Sequence, residues 1–218
     1  MLERISRRER YDLIIAWLAI SIAFSLAFTG GVGVWMGSPF QQTTLRTYLV
    51  YLVLSMITVG TGFVLHELAH KFTAMRYGYW AEFRKDKLML LVAVVLAALI
   101  GVVFAAPGAT MISGTGVTRK QNGTISAAGP LTNIVLCIPF ALILLVSSSL
   151  DPDIPSRTLL SLVGMVGLQV NAMIAAFNML PVSVLDGRKV LAWNPVVFIL
   201  LIVAAFGILL GSFSMVSL

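Results

Sequence analysis

Two histidines and one glutamate lie together in the stretch His66-Glu67-Leu68-Ala69-His70, and the 218-residue chain contains no other histidine. Residues four apart on a helix lie on the same face, so both imidazoles can reach one metal ion. Glu67, between them, is the residue type that accepts a proton from water in this arrangement. We therefore predict a Zn²⁺ site with Glu67 as its general base. The alternative is a structural cluster of hydrogen-bonded side chains.

A catalytic zinc usually has three protein ligands and one open position, so a third ligand must come from elsewhere in the chain. The single cysteine, Cys137, lies in an apolar run, which leaves the carboxylates. Asp186 is the best of them, because Pro181 should end the preceding helix and let the chain bend back toward the metal. The others lie among basic residues or across the membrane from the site: Glu3, Glu9, Asp12, Glu82, Asp86, Asp151 and Asp153. We predict His66, His70 and Asp186 as the ligands.

The composition indicates a membrane protein. Hydrophobic residues make up 59% of the chain and charged residues only 11%, against about 25% charged in an average soluble domain. The net charge of +6 comes from short basic clusters between apolar runs, which is typical of membrane topology and not of a nucleic-acid surface. We expect the lipid bilayer as a partner and no nucleic acid. The sequence does not define an oligomeric state.

Five apolar stretches are long enough to cross a hydrocarbon core of about 30 Å: 12–37, 47–77, 126–150, 158–180 and 195–214. A sixth apolar run, 88–106, also has the necessary length. The sequence therefore predicts an all-α polytopic membrane protein with five or six transmembrane helices and a re-entrant or irregular segment near 88–125. We treat residues 1–218 as one membrane domain with its catalytic core at about 47–190.

The basic residues favour five crossings. If 88–106 enters and returns on the same side, every Lys and Arg except Arg46 and Arg157 lies on the cytoplasmic side, as the positive-inside rule prefers. A sixth crossing would move Arg119, Lys120, Arg188 and Lys189 outside. The stretch from Ala106-Pro107-Gly108 to Gly116 contains helix-breaking and flexible residues, which could form the turn back to the cytoplasmic side. We expect the N-terminus and the metal site to face the cytoplasm.

Three ordered motifs resemble the site-2 protease family of intramembrane zinc metalloproteases. They are His66-Glu67-Leu68-Ala69-His70, then Gly129-Pro130-Leu131-Thr132-Asn133 opening the next core helix, then Asn178-Met179-Leu180-Pro181 followed by Leu185-Asp186-Gly187. The resemblance covers about 66–187 and leaves no room for the PDZ or CBS domains that many members carry. It implies a minimal form that cleaves peptide bonds in transmembrane segments of protein or peptide substrates.

The resemblance also implies individual roles. His66, His70 and Asp186 would hold zinc, Glu67 would be the base, and Asn133 and Asn178 would bind the substrate backbone or the oxyanion. From the residues alone, both amides could equally form interhelical hydrogen bonds. The competing function is a non-hydrolytic zinc-binding membrane protein, such as a metal transporter or a regulatory binding module. The sequence has no visible inverted repeat of the kind that transporters use.

Overall fold

In the computed structural model, the chain folds into two compact units that alternate along the sequence. One unit is Met1–Gly60 with Glu82–Met111, and the other is Thr61–Ala81 with Ile112–Leu218. The structure describes residues 5–30, 44–101, 103, 108–114, 116–151, 153, 155–182 and 184–214. Every residue of the three predicted motifs lies within these ranges. Ser183, which separates the two parts of the third motif, does not.

Within these described ranges, five helices are long and apolar enough to cross a membrane. They are α1 (Arg7–Phe28), α2 (Leu45–Arg76), α4 (Arg119–Ser148), α5 (Pro155–Asn178) and α7 (Pro195–Ser214). Two shorter helices lie between them, α3 (Lys87–Ile100) and α6 (Asp186–Trp193). The predicted all-α polytopic membrane fold is confirmed. The described residues also contain two strands that the hydropathy pattern did not predict, β1 (Trp80–Lys85) and β2 (Gly108–Ser113), which form one small sheet.

The segment between the two strands leaves the sheet and returns to it. Gly108, at the start of β2, lies against the backbone of Arg84 and Lys85 at the end of β1, and Gly114, directly after β2, lies against the ring of Tyr79, directly before β1. The strands are therefore antiparallel, and the chain between them starts and ends at the same place. Within that segment α3 has 14 residues, about 21 Å of helix, which is too short for a core of about 30 Å. This geometry agrees with the re-entrant alternative; Ala106 and Pro107 of the predicted return lie outside the described residues.

The first spanning helix is shorter than the predicted 12–37. It begins at Arg7 and ends at Phe28, where the Thr29 hydroxyl donates to the Ser25 carbonyl at 2.8 Å. Gly30 follows with φ of 84°, a left-handed conformation that glycine adopts without strain and that stops a helix. Residues 31–43 lie outside the described part of the chain.

The helix predicted at 126–150 begins earlier, at Arg119. Thr118 and Gln121 form a reciprocal capping box at its start, which satisfies two backbone N–H groups that have no partner inside the helix. The expectation that Gly129 and Pro130 open this helix is therefore wrong. Both residues lie in its interior, more than two turns from the cap.

In the first unit, acidic residues of α1 bind the polar side of β1. Asp12 pairs with Lys85 at 2.5 Å, and Glu9 accepts a hydrogen bond from the backbone N–H of Phe83 at 3.1 Å. Glu82 pairs with Arg84, as its basic neighbours suggested. Asp86 has a different role from the expected ion pair, because its carboxylate caps the N-terminus of α3.

In the second unit, α5 packs closely on α4 through glycine. A Cβ at Gly167 would lie 2.1 Å from the ring of Phe140, and one at Gly164 would lie 2.7 Å from Leu144. Glycine at these two positions therefore allows the two helices to approach closely. This approach brings the polar residues of α5 near those of α4 inside the bundle.

Candidate metal centre

The structure brings the three predicted ligands together. His66 and His70 lie one turn apart on α2, and Asp186 is the first residue of α6. The Nε2 atoms of the two histidines are 3.0 Å apart. The Oδ2 atom of Asp186 lies 3.0 Å from Nε2 of His70 and 3.5 Å from Nε2 of His66. All three residues are buried, so one carboxylate oxygen and two ring nitrogens share a small enclosed volume.

The outer nitrogen of each imidazole is held by an oxygen acceptor. Nδ1 of His66 lies 2.6 Å from Oδ1 of Asn133, and Nδ1 of His70 lies 2.7 Å from the carbonyl of Ile125. Since a carbonyl oxygen can only accept, Nδ1 of His70 carries the hydrogen, and the Asn133 oxygen assigns the same tautomer to His66. Both Nε2 atoms then present lone pairs to the shared volume, which is the state that metal ligation requires.

These atoms fit a zinc ion. Four ligands at about 2.0–2.1 Å in a tetrahedron are about 3.3 Å from one another, and the three observed separations are 3.0, 3.0 and 3.5 Å. Two lone pairs and a carboxylate oxygen at such distances repel one another unless a cation lies between them. Within the described residues, this group is the one set of three His, Cys, Asp or Glu side chains that could hold a metal.

Gly129 makes room for the ligands. A Cβ at this position would lie 2.4 Å from Nε2 of His70 and 2.6 Å from Nε2 of His66, so α4 can pass this close to the ligand nitrogens only with glycine there. Sequence reasoning treated Gly129 as part of a helix start and missed this function. The signal in the sequence is its position four residues before Asn133, which puts both residues on the same face of α4.

Asp186 is positioned by the tight junction between α5 and α6. The helix α5 ends at Asn178, three residues before Pro181, as predicted. A Cβ at Gly187 would lie 2.1 Å from the Met179 carbonyl, so glycine lets α6 start directly against the end of α5. The second carboxylate oxygen of Asp186 lies 3.7 Å from Nζ of Lys189.

The remaining predicted site residues lie on the same helices. Glu67, which follows His66 directly on α2, is buried. Asn133 is fully buried and contacts His66. Asn178 is half-buried at the end of α5, where its amide nitrogen donates to the Ile174 carbonyl at 2.9 Å. Substrate contacts of Asn133 and Asn178 remain predictions.

The chain is similar to two known proteins. It is 36% identical over 195 residues to the "Putative zinc metalloprotease MJ0611" of Methanocaldococcus jannaschii, covering 89% of both chains. It is 26% identical over 161 residues to the "Putative zinc metalloprotease YwhC" of Bacillus subtilis, covering 70% of this chain and 71% of the relative. No protein-family model and no solved structure matches the chain.

The extent of the first similarity defines the family, and the histidine and aspartate cluster supplies a metal site of the matching kind. Zn²⁺ is accordingly the cofactor, as predicted. The chain therefore belongs to the zinc metalloprotease family of its M. jannaschii relative.

Proposed function

We propose that this protein is a site-2-type intramembrane endopeptidase, which hydrolyses peptide bonds within or beside the transmembrane segments of protein substrates. The observation that carries the proposal is the position of the buried His66 and His70 on the apolar helix α2, with the buried Asp186 of α6 beside them. A soluble protease has no need to build its metal site on such an element. Ionisable residues in a spanning helix are costly and are retained for function.

The length of α2 supports a site close to one membrane surface. Its 32 residues make a helix of about 48 Å, longer than a hydrocarbon core of about 30 Å. His70 lies six residues before the end of α2 at Arg76, about 9 Å along the axis. A site at this depth could receive water from the near surface and a substrate segment from the bilayer. The positive-inside bias supports the cytoplasm as that surface, together with the N-terminus.

The residues divide the chemistry between them. His66, His70 and Asp186 would hold the metal, and zinc, when bound, supplies a Lewis acid that polarises a carbonyl and lowers the pKa of water toward about 7. Glu67 accepts the proton of the attacking water and delivers it to the leaving amine as the C–N bond breaks. Because the amides of a substrate helix are already hydrogen-bonded, the substrate must unwind locally before its carbonyl can be attacked. Asn178 is proposed to contact its backbone, and the expected contact of Asn133 would require one of its amide hydrogens to leave the Gly62 carbonyl or Asn171.

The test uses the full chain, purified and reconstituted in vesicles with a panel of transmembrane peptides. Replacing Glu67 with Gln keeps the shape of the side chain but removes the base, so zinc content should stay near one per chain while cleavage falls by about 10²-fold or more. The matched control is Asp153→Asn, which changes an exposed acid outside the site and should retain both properties. Unchanged cleavage in Glu67→Gln would contradict the mechanism.

The same samples separate hydrolysis from the competing function. A non-hydrolytic zinc-binding protein needs the histidines but has no use for a base between them. Glu67→Gln would then be indistinguishable from the unmodified protein in zinc binding, and no peptide would be cleaved by either. Zinc movement into vesicles, measured with an entrapped indicator, would identify a transporter.

A further inference from the structure

Asn133 belongs to a chain of buried hydrogen bonds that begins at the metal ligand. Its Oδ1 lies 2.6 Å from Nδ1 of His66, and its Nδ2 donates to the Gly62 carbonyl at 3.1 Å and to Oδ1 of Asn171 at 3.0 Å. Asn171 in turn donates through Nδ2 to the Gly167 carbonyl at 2.8 Å. Both amide side chains are fully buried. Three helices are joined by this chain: α2, α4 and α5.

The two glycine carbonyls fix the direction of every bond in the chain. A backbone carbonyl can only accept, so the atoms facing Gly62 and Gly167 must be the amide nitrogens of Asn133 and Asn171. Each side chain then turns its oxygen the other way, Asn171 toward Asn133 and Asn133 toward His66. An acceptor facing Nδ1 of His66 requires a hydrogen there, and Nε2 is left with its lone pair toward the metal.

We propose that Asn133 and Asn171 are positioning residues, named here the amide relay, which fix the tautomer and the ring orientation of the zinc ligand His66. The proposal rests on the ligand assignment made above. Both hydrogens of the Asn133 amide are used by protein acceptors, so donating to a substrate would require it to release one of them. A simple interhelical bond would need only one partner, whereas the relay satisfies both ends of each amide and terminates on a metal ligand.

Gly62 is the packing counterpart of the relay. A Cβ at this position would lie 2.9 Å from Oδ1 of Asn171, closer than real Cβ atoms approach an oxygen. The short Asn171 side chain is held at both ends and has little freedom to move away. A methyl group at position 62 should therefore disturb the relay without touching the metal or any of its ligands.

The experiment measures zinc affinity by competition with a chelator, on the full chain in detergent, for Asn133→Leu, Asn171→Leu and the double variant. Loss of an outer partner of a metal-binding histidine typically costs 10–100-fold in affinity, and we expect about that loss for Asn133→Leu. Asn171→Leu should lose less, because Asn133 keeps its bond to Gly62. Since Asn171 acts through Asn133, the double variant should bind zinc no more weakly than Asn133→Leu. Gly62→Ala should resemble Asn171→Leu.

The control is Gln169→Leu, which removes another buried amide of α5 and should keep the zinc affinity of the unmodified chain. The thermal midpoint of the metal-free protein is recorded for each variant, because a purely structural role would lower that midpoint and leave zinc affinity unchanged. That outcome, or independent losses that multiply in the double variant, would overturn the relay. If His66→Ala keeps full zinc affinity, the ligand assignment fails instead, so the two failures are distinguishable.

Discussion

A Cβ atom added to Gly129 would lie 2.4 Å from Nε2 of His70, so the ligand nitrogen occupies space that any other residue would fill. The backbone of α4 thus forms one wall of the metal centre. This wall is rigid, because the same helix also supplies Asn133 to one imidazole and the Ile125 carbonyl to the other. The centre depends on backbone shape as much as on its ligands.

Replacing Gly129 with Ala should therefore weaken zinc binding by about tenfold or more. The added methyl group would push the imidazoles of His66 and His70 away from the orientation in which their Nδ1 hydrogen bonds hold them. Chelator competition measures the loss. The matched control is Gly207→Ala in α7, where an added Cβ meets nothing within 4 Å. Wild-type affinity in Gly129→Ala would mean that the metal does not occupy the volume between the three ligands.

Asp186 should be more important for zinc than any other acidic residue on its side of the membrane. Asp186→Asn removes the charge that faces both imidazoles, so we expect zinc binding to weaken and cleavage to be lost while membrane insertion is retained. Asp86→Asn is the control, because Asn is as good a helix cap as Asp. Metal analysis of both purified variants tests this, and equal zinc content in the two would exclude Asp186 as the third ligand.

The path of the chain through the membrane can be tested by cysteine labelling in a Cys137→Ser background. Because β1 and β2 are antiparallel, Lys87→Cys and Arg119→Cys should be labelled from the same side, and Asp153→Cys from the other. Labelling of positions 87 and 119 from opposite sides would mean that the segment between them crosses.

The ion pair between Asp12 and Lys85 should stabilise the first unit. Both side chains are 9% exposed, and leaving one member of a buried pair alone costs about 3 kcal/mol or more. Asp12→Ala should lower the free energy of unfolding in detergent by about that amount. Replacing both residues with Leu should recover most of the loss, and an equally unstable double variant would show that the pair itself is not the cause.

The three candidate ligands that the structure brings together could be chosen from the sequence because each carries its own signal. His66 and His70 are the only histidines, their spacing is helical, and Asp186 follows a proline that ends a helix. Gly129 carries only the indirect signal of its four-residue spacing from Asn133, and Asn171 carries none, because their importance arises from how closely α4 approaches α2 and α5. The two strands were also missed, since each has only six residues and they flank an apolar run that dominates the hydropathy pattern. The start of α4 was predicted too late because the polar turn after Thr118 is helical but not apolar.

The most direct test of the account is to map the bond that the reconstituted protein cleaves. A transmembrane peptide is incubated with the protein in vesicles, and its products are identified by mass spectrometry with a chelator, without it, and after zinc is restored. We expect a cut inside or at the edge of the hydrophobic segment, lost with the chelator, recovered with zinc and absent with Glu67→Gln. Cleavage confined to the soluble ends of the peptide, or cleavage that persists without zinc, would contradict it.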